Sequence, residues 1–382
     1  MSEIRLLVLN CEFPPIGGGA ATATKHLLQE LAEFPVKATL VTAGARGGKL
    51  VDDLTSRCRI HYLPMGKAEL HYWSNRELLS YAFAAARKAS QLAREQEFDL
   101  CHAFFTLPAG AVAWWQSGSR PYLVSLRGSD VPGFSGRYTT LYRVLGPLFK
   151  RIWREAGAVV ANSEGLKDLA LGTAPDVAIE VIPNGVDMDQ FRPAEAREGA
   201  RTILTVARLV PRKDIATPIH AVALLAKEFP DVRLIVVGDG PEAEPLRLLS
   251  QSLGVAERVE FRRYVAREKI AEVYREADVF MLTSAREGMS NTVLEAIASG
   301  LPIMASADAL AGITAPGASV VAPGDARAAA AAAAEFFRDS QRREAAARAS
   351  REAAAAYTWQ ATAGKYFGIY ERVLAERGTR GR

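Results

Sequence analysis

The stretch "VIPNGVDMDQFRPAEAREGARTIL", Val181 to Leu204, decides how this chain folds. Proline, glycine and charge cluster in it without helical or strand periodicity, so it reads as a linker at about residues 186–200. On both sides of it short β-branched runs alternate with amphipathic stretches. Upstream the runs are "IRLLVLN", "VKATLVT", "FDLCHAF", "PYLVSLR" and "GAVVANS"; downstream they are "RTILTVAR", "VRLIVVGDG", "VEFRRYV" and "ADVFMLTS". Helical periodicity falls between them, at 20–33, 76–96, 216–228 and 291–299. Such alternation implies parallel sheets with helices on both faces, and its restart after the linker implies two of them. The predicted class is α/β, with doubly wound Rossmann-like domains at 1–187 and 188–358.

Bulk properties agree. At 382 residues and 49% apolar, the chain exceeds what one ordinary core holds. The alanine-rich segment 325–356 carries Phe336, Phe337 and spaced charges, which predicts two helices with a break near Asp339–Ser340. Trp359, Tyr366, Ile369, Tyr370 and Leu374 then form one stripe of a final helix that needs a surface to pack on. No apolar run reaches the ~18 residues of a membrane span. The start "MSEIRLLVLN" is too short and too acidic for a secretory signal, so a cytoplasmic location is expected. The three dispersed cysteines, Cys11, Cys58 and Cys101, suggest reduced core thiols. A net charge of +4 is too weak for a nucleic-acid binder and suits small anionic ligands or an anionic membrane surface.

In doubly wound sheets ligands bind beyond the carboxyl ends of the strands, and here the residues after the strands are polar and glycine-bearing. "PPIGGGAAT" lacks the Lys-Ser/Thr of a phosphate loop, and no acidic residue closes the second strand to hold a ribose. Gly17–Gly19 therefore read either as a tight turn or as free N–H groups for an anion or sugar hydroxyls. In "VARLVPRKD", Arg208 and Lys213 can converge on a diphosphate, or remain solvated loop charges. In "SAREGMSNTVLEAIASGLP", Ser284–Pro302, Thr292 and Glu295 have capping-box spacing. No capping role accounts for Glu287, nor for Gly288 and the small polar residues opening a helix.

Together "VIPNGVDMDQFRP", "ARLVPRKD", "VVGDGP" and "AREGMSNTVLEAIASGLPI" resemble the retaining glycosyltransferases of the GT-B fold, family 4 (glycosyltransferases group 1). The likeness spans nearly the whole chain, with the motifs in the family's order. It implies two domains facing across a cleft: acceptor-binding at 1–187, nucleotide-sugar-binding at 188–358, and a helix at 359–382 crossing back to the first domain. It further implies that Arg208 and Lys213 hold the diphosphate, and that Glu287 meets the donor hexose and Glu295 the ribose. The backbone of Gly288, Met289, Ser290 and Asn291 would face the phosphates, and Val265 the nucleobase. Gly18, Gly19 and Gly238 join the donor side, while His102, Asp130, Asn162 and Ser163 line the acceptor side. Arg127 stands in "RGSD" where many relatives carry histidine, leaving it to bind an anionic acceptor or a donor phosphate. Arg208, Lys213, Glu287, Arg127 and His102 form the expected catalytic set.

The expected reaction is metal-independent, front-side transfer of a hexosyl unit from a UDP- or GDP-linked sugar, with no cofactor and no metal ligands. The acceptor is a glycan, a lipid-linked glycan or a small molecule, and "KAELHYWSNRELL", residues 67–79, is a candidate acceptor loop. "GRYTTLYRVLGPLFKRIWREAG" sets Arg137, Arg143, Lys150, Arg151 and Arg154 among Tyr138, Leu145, Phe149 and Trp153. It reads either as an ordinary basic helix or as a peripheral contact of residues 137–155 with the inner face of an anionic membrane. Rival readings are a GT-B-fold epimerase and a non-catalytic nucleotide-sugar-binding protein.

Overall fold

The computed structural model describes residues 3–380 except 68, 71, 119, 135–138, 195–200 and 264. The chain forms two units, Met1–Asn184 together with Trp359–Arg382, and Gly185–Thr358. The first boundary thus lies just before the expected linker.

The first unit is built on eight strands: β1 (Ile4–Leu9), β2 (Val36–Ala45), β3 (Val51–Thr55), β4 (Cys58–Lys67), β5 (Leu100–Phe104), β6 (Tyr122–Leu126), β7 (Ala158–Ala161) and β8 (Ile179–Val181). Their order is β3-β4-β2-β1-β5-β6-β7-β8. β1, β5, β6 and β7 read as continuous apolar runs because helices bury them from both faces. β3 is the exception. It pairs antiparallel with β4 at the sheet edge, and its half-exposed sequence "VDDLT" gives no such run.

The final helix, Trp359–Arg380, belongs to this unit for an energetic reason. It buries Trp359, Tyr366, Ile369, Tyr370 and Val373, each contributing about 1.5–3 kcal/mol. Trp359 stacks on His26 of the helix Gly19–Glu30, and Phe367 meets Phe34, each with ring centroids 5.2 Å apart. The expected aromatic stripe has its surface there.

The second unit holds β9 (Thr202–Val206), β10 (Arg233–Val237), β11 (Val259–Arg262), β12 (Val279–Leu282), β13 (Ile303–Ala305) and β14 (Ser319–Val320). The sheet is parallel, ordered β11-β10-β9-β12-β13-β14. The alanine-rich segment forms the helices Ala326–Arg338 and Ser340–Ala354. Asp339 separates them, its carboxylate capping the second by accepting from the Arg342 N–H at 2.9 Å. Among the described residues no helix is long and apolar enough to cross a membrane.

Candidate active site

Where strand order reverses, the loops leaving two adjacent strands lie side by side. In the second unit these strands are β9 and β12. After β9 the chain passes Arg208, makes a tight turn at Pro211–Lys213 and bends at Asp214, whose φ is +50°. Aspartate tolerates that left-handed conformation better than most residues. Its Oδ2 accepts from Thr217 Oγ1 (2.7 Å) and from the Gly324 N–H (2.8 Å), which holds the bend.

After β12 the second loop is laced to the first. The Ala285 N–H donates to the Arg212 carbonyl at 2.8 Å, and Arg212 Nη1 donates back to the Arg286 carbonyl at 2.8 Å. Thr283 Oγ1 donates to the Asp214 carbonyl at 3.0 Å. These bonds bring Lys213 onto Glu287 in an ion pair whose side chains are only 12% and 7% exposed. Arg212 Nη1 lies 3.7 Å from the other Glu287 oxygen.

Burial pushes the pKa values of Lys213 and Arg212 down; Glu287 opposes the fall, and the nearby Arg208 charge adds to it. Lys213 and Arg212 share the Glu287 carboxylate, and the Arg208 and Arg286 charges act on Arg212 as well, so cations outnumber the carboxylate in this cluster. An anion with several oxygens relieves this repulsion, and arginine forks with a lysine point charge suit a diphosphate. Arg208 is exposed and completes the cluster from the solvent side. Sequence reasoning missed Arg212, although its position one residue before Lys213 in a proline-led turn was a usable signal.

The Glu287 reading needs correction: it has a structural partner after all, in Lys213. The Thr292–Glu295 capping box is also absent. The helix Asn291–Ala298 starts where its periodicity placed it, but the cap is Ser290 instead of Thr292, its Oγ accepting from the Val293 N–H at 3.4 Å. Thr292 is thus already helical, and the buried Glu295 turns away from the helix start. One of its oxygens accepts from Arg267 Nη1 at 2.5 Å and the other from Tyr274 OH at 2.8 Å. Gly288, Met289 and Ser290 are buried at this helix start, and Asn291 and Val265 are half-buried. Gly238 has a steric role: at φ +142° a Cβ there would lie 1.9 Å from the Ala207 carbonyl oxygen, so glycine lets the β10 loop pass the β9 loop.

Asp187 and Asp189 have the spacing of an Asp-x-Asp metal motif, although no metal site was expected. Asp187 Oδ1 instead accepts from the N–H groups of Asp189 (2.9 Å) and Gln190 (2.8 Å), closing a local turn. Among the described residues no group of His, Cys, Asp and Glu is arranged to hold a metal ion.

In the first unit most of the predicted polar residues prove architectural. His102 is buried, with Nδ1 bonded to Tyr370 OH (2.8 Å) and Nε2 to Ser125 Oγ (2.7 Å), and its ring stacks on Phe104 at 4.3 Å. Burial, then the Arg127 charge, holds its pKa well below the ordinary value, so the imidazole is neutral, and both its nitrogens are bonded within the fold. Arg127 spans Asn184 Oδ1 (2.8 Å) and Tyr366 OH (3.2 Å), with its guanidinium 4.8 Å from the Phe104 ring centroid. It fastens the last helix to β6. Asp130 is buried and accepts from the N–H groups of Thr106 (2.8 Å), Arg127 (2.9 Å) and Gly128 (3.0 Å), which shapes its loop. Ser163 caps the helix Glu164–Leu171 through the Leu166 N–H at 3.2 Å.

Among these residues two buried polar atoms have no partner, Asn162 Oδ1 and Arg127 Nε. Gly18 and Gly19 are exposed at the start of the helix Gly19–Glu30. Gly17 makes the tight turn, at φ +100° with a Cβ position only 2.5 Å from Glu12 Oε2, and that same oxygen accepts from the Gly18 N–H at 3.4 Å.

The candidate acceptor loop is a packed helix entry. Lys67 is buried, bonded to the Tyr72 carbonyl and Glu77 (3.1 Å) beneath the Trp73 ring, and Ser74 with Glu77 forms a capping box. Ala68 and His71 lie outside the described residues. In the basic helix Thr139–Arg154, Phe149 and Trp153 point into the core, where Trp153 Nε1 donates to Thr106 Oγ1 at 2.9 Å. They cannot meet a membrane as expected, and Arg137 and Tyr138 lie outside the described residues.

Comparison with known proteins gives two family matches: Glycosyltransferase Family 4 over residues 17–190 and Glycosyl transferases group 1 over residues 187–353. A GDP-mannose-dependent alpha-(1-6)-phosphatidylinositol monomannoside mannosyltransferase of Mycolicibacterium smegmatis is 33% identical over 208 residues, 50% of this chain and 53% of that one. An alpha-monoglucosyldiacylglycerol synthase of Streptococcus pneumoniae is 25% identical over 244 residues, 59% and 55% of the two chains. The matches span about half the length of these curated relatives. Among solved structures, sucrose-phosphate synthase from Thermosynechococcus elongatus superposes with a TM-score of 0.82 at 22% identity, covering 98% of this chain and 100% of that one. Anabaena Alr3699/HepE, solved in complex with UDP and glucose, gives 0.71 at 19% identity over 96% and 98%. At these identities the likeness is one of fold.

Proposed function

This chain belongs to the group 1, family 4 glycosyltransferases and has their GT-B fold of two Rossmann-like units, and on that premise we propose that it transfers a hexosyl unit from a nucleotide-diphosphate sugar. The observation that carries the reading is the cation surplus of Arg208, Arg212 and Lys213 around Glu287, at the point where strand order reverses. A donor diphosphate would take over Lys213 and neutralise the surplus. Glu287 would then be released to accept hydrogen bonds from hexose hydroxyls, each charge-assisted bond contributing ~1.5–3 kcal/mol. The amides of Gly288–Asn291 would face the phosphates, and Val265 the nucleobase. Glu295 keeps free lone pairs on both oxygens and can still accept from a ribose hydroxyl.

Transfer proceeds on the front face with retention. The bond from the anomeric carbon to the diphosphate oxygen breaks, the acceptor oxygen bonds to the same face, and its proton passes to a phosphate oxygen of the leaving diphosphate. Charge grows on that leaving group, and the fixed cations stabilise it without a metal ion. The donor is UDP- or GDP-linked and the acceptor is a glycan or lipid-linked. The names of relatives, a mannosyltransferase acting on a phosphatidylinositol mannoside and a glucosyldiacylglycerol synthase, support that acceptor class.

The test is incubation with UDP- and GDP-hexoses and a lipid or glycan acceptor, followed by NMR of the product's anomeric centre. Nucleoside diphosphate release with an unchanged anomeric configuration is expected. An inverted product would refute the front-side mechanism, and turnover without an acceptor would favour an epimerase.

A further inference from the structure

In the first unit the connections β4 to β5, β5 to β6 and β6 to β7 all step across the sheet in the same direction. Right-handed crossovers then place their helices, Asn75–Glu95, Ala111–Trp115 and Thr139–Arg154, on one face. Contacts agree with that placement. Gln116 Nε2 donates to the Ala86 carbonyl (3.1 Å) and Ser90 Oγ (3.0 Å), and Trp114 Nε1 donates to Glu155 at 2.6 Å beside the Arg151 guanidinium.

The outer side of this three-helix layer carries large apolar side chains in the open: Leu79 is 62% exposed, Phe83 78%, Trp115 69% and Val144 69%. On the helix Asn75–Glu95, residues 81, 85, 89 and 92 face the core, so Leu79, Phe83 and Arg87 follow one another on the opposite side. Cations share the same helices. Arg76, Arg87 and Arg143 make no ion pair with a carboxylate among the described residues, and the helix Thr139–Arg154 contains no acidic residue, although Lys150 lies near enough to Asp176 to lower its pKa. Arg151 and Arg154, by contrast, are spent on Glu155 and Asp176.

We propose that this three-helix face docks on an anionic lipid bilayer, with Leu79, Phe83, Trp115 and Val144 entering the interface and Arg76, Arg87 and Arg143 meeting the headgroups. Apolar wedges on helices that also carry these cations match the two forces that hold peripheral proteins to acidic membranes. Leu79, Phe83 and Val144 lie early in their helices, near the strand ends where ligands of such sheets bind. The surface rests on the lipid-linked acceptor reading given above, and would bring the chain to such a substrate.

Flotation of the full chain with vesicles of phosphatidylglycerol and phosphatidylcholine, against phosphatidylcholine alone, tests it. Binding to the anionic vesicles is expected. Phe83→Ser with Trp115→Ser should weaken that binding tenfold or more, while Arg143→Gln should weaken it about fivefold. Absence of binding, or binding that the serine pair leaves unchanged, overturns the proposal. Uridine and guanosine diphosphate binding, measured on the same preparations, should be equal in the parent and the serine pair. Its loss in both would count against the donor reading rather than this surface, and its loss in the serine pair alone would mean a disturbed fold and overturn the assignment of these side chains to a free face.

Discussion

The strand ends of the two units use polar residues in opposite ways. In Met1–Asn184 they are consumed by the fold: His102 spends both nitrogens, Asp130 binds its own loop, Ser163 caps a helix and Arg127 fastens the last helix. In Gly185–Thr358 the loops after β9 and β12 set several cations against the Glu287 carboxylate. One architecture thus yields a rim whose polar side chains are mostly bonded within the fold and a rim that carries excess positive charge. A surplus of like charge costs stability unless a ligand offsets it, so the second rim is where selection for binding would show.

Substitutions in the charged rim should give the largest effects. Lys213→Ala should lower turnover ~100–1000-fold by removing a preorganised donor to the leaving diphosphate, with the circular dichroism spectrum unchanged. Turnover within a few-fold of the parent would dissolve the contrast between the rims. Glu287→Ala should act on both fold and transfer, because it leaves Lys213 buried beside Arg212 without a counter-charge. A stability loss of about 3 kcal/mol is expected in denaturant titration, recovered in part by added nucleoside diphosphate.

The first rim should respond to pH and not to donor. The folded pKa of His102 is depressed below its ordinary 6.5, so the unfolded chain binds the extra proton. Its stabilising effect is therefore present above that value and lost as pH falls below it, by up to about 1.4 kcal/mol per pH unit. Melting curves between neutral and mildly acidic pH should show a shallower decline for His102→Gln than for the parent, with equal donor affinity at neutral pH. Ser163→Ala should do least, costing about 1 kcal/mol in denaturant titration as a lost cap and leaving turnover intact. A large turnover defect there would return Ser163 to the acceptor side.

Much of this contrast was legible in residue order, and the rest was hidden for physical reasons. Alternating apolar runs located β1, β2, β5, β6, β7, β9, β10, β11 and β12, because burial on both faces forces continuous apolar sequence. β3, β4, β8, β13 and β14 escaped: β3, β8 and β14 are edge strands, β8, β13 and β14 span only two or three residues, and β4 mixes buried with exposed positions instead of forming an apolar run. Lys213 and Glu287 stood out as charges in glycine- and proline-marked loops, but their ion pair depends on β9 lying beside β12, which strand order settles and linear spacing does not. Glu295 was assigned to the wrong partner for a related reason. Ser290, Asn291 and Thr292 are all good cap residues, and only the turn at Gly288 fixes which one starts the helix. The bond of His102 to Tyr370, 268 positions away, was hidden because nothing in its sequence neighbourhood names that partner.

Calorimetric titration of the parent and Lys213→Ala with UDP, GDP and the corresponding monophosphates tests the charged rim most directly. One diphosphate should bind the parent at least tenfold more tightly than its monophosphate, and Lys213→Ala should erase that preference. Equal affinity for mono- and diphosphate in the parent, or a preference that survives Lys213→Ala, would contradict the assignment of this cluster to the donor diphosphate.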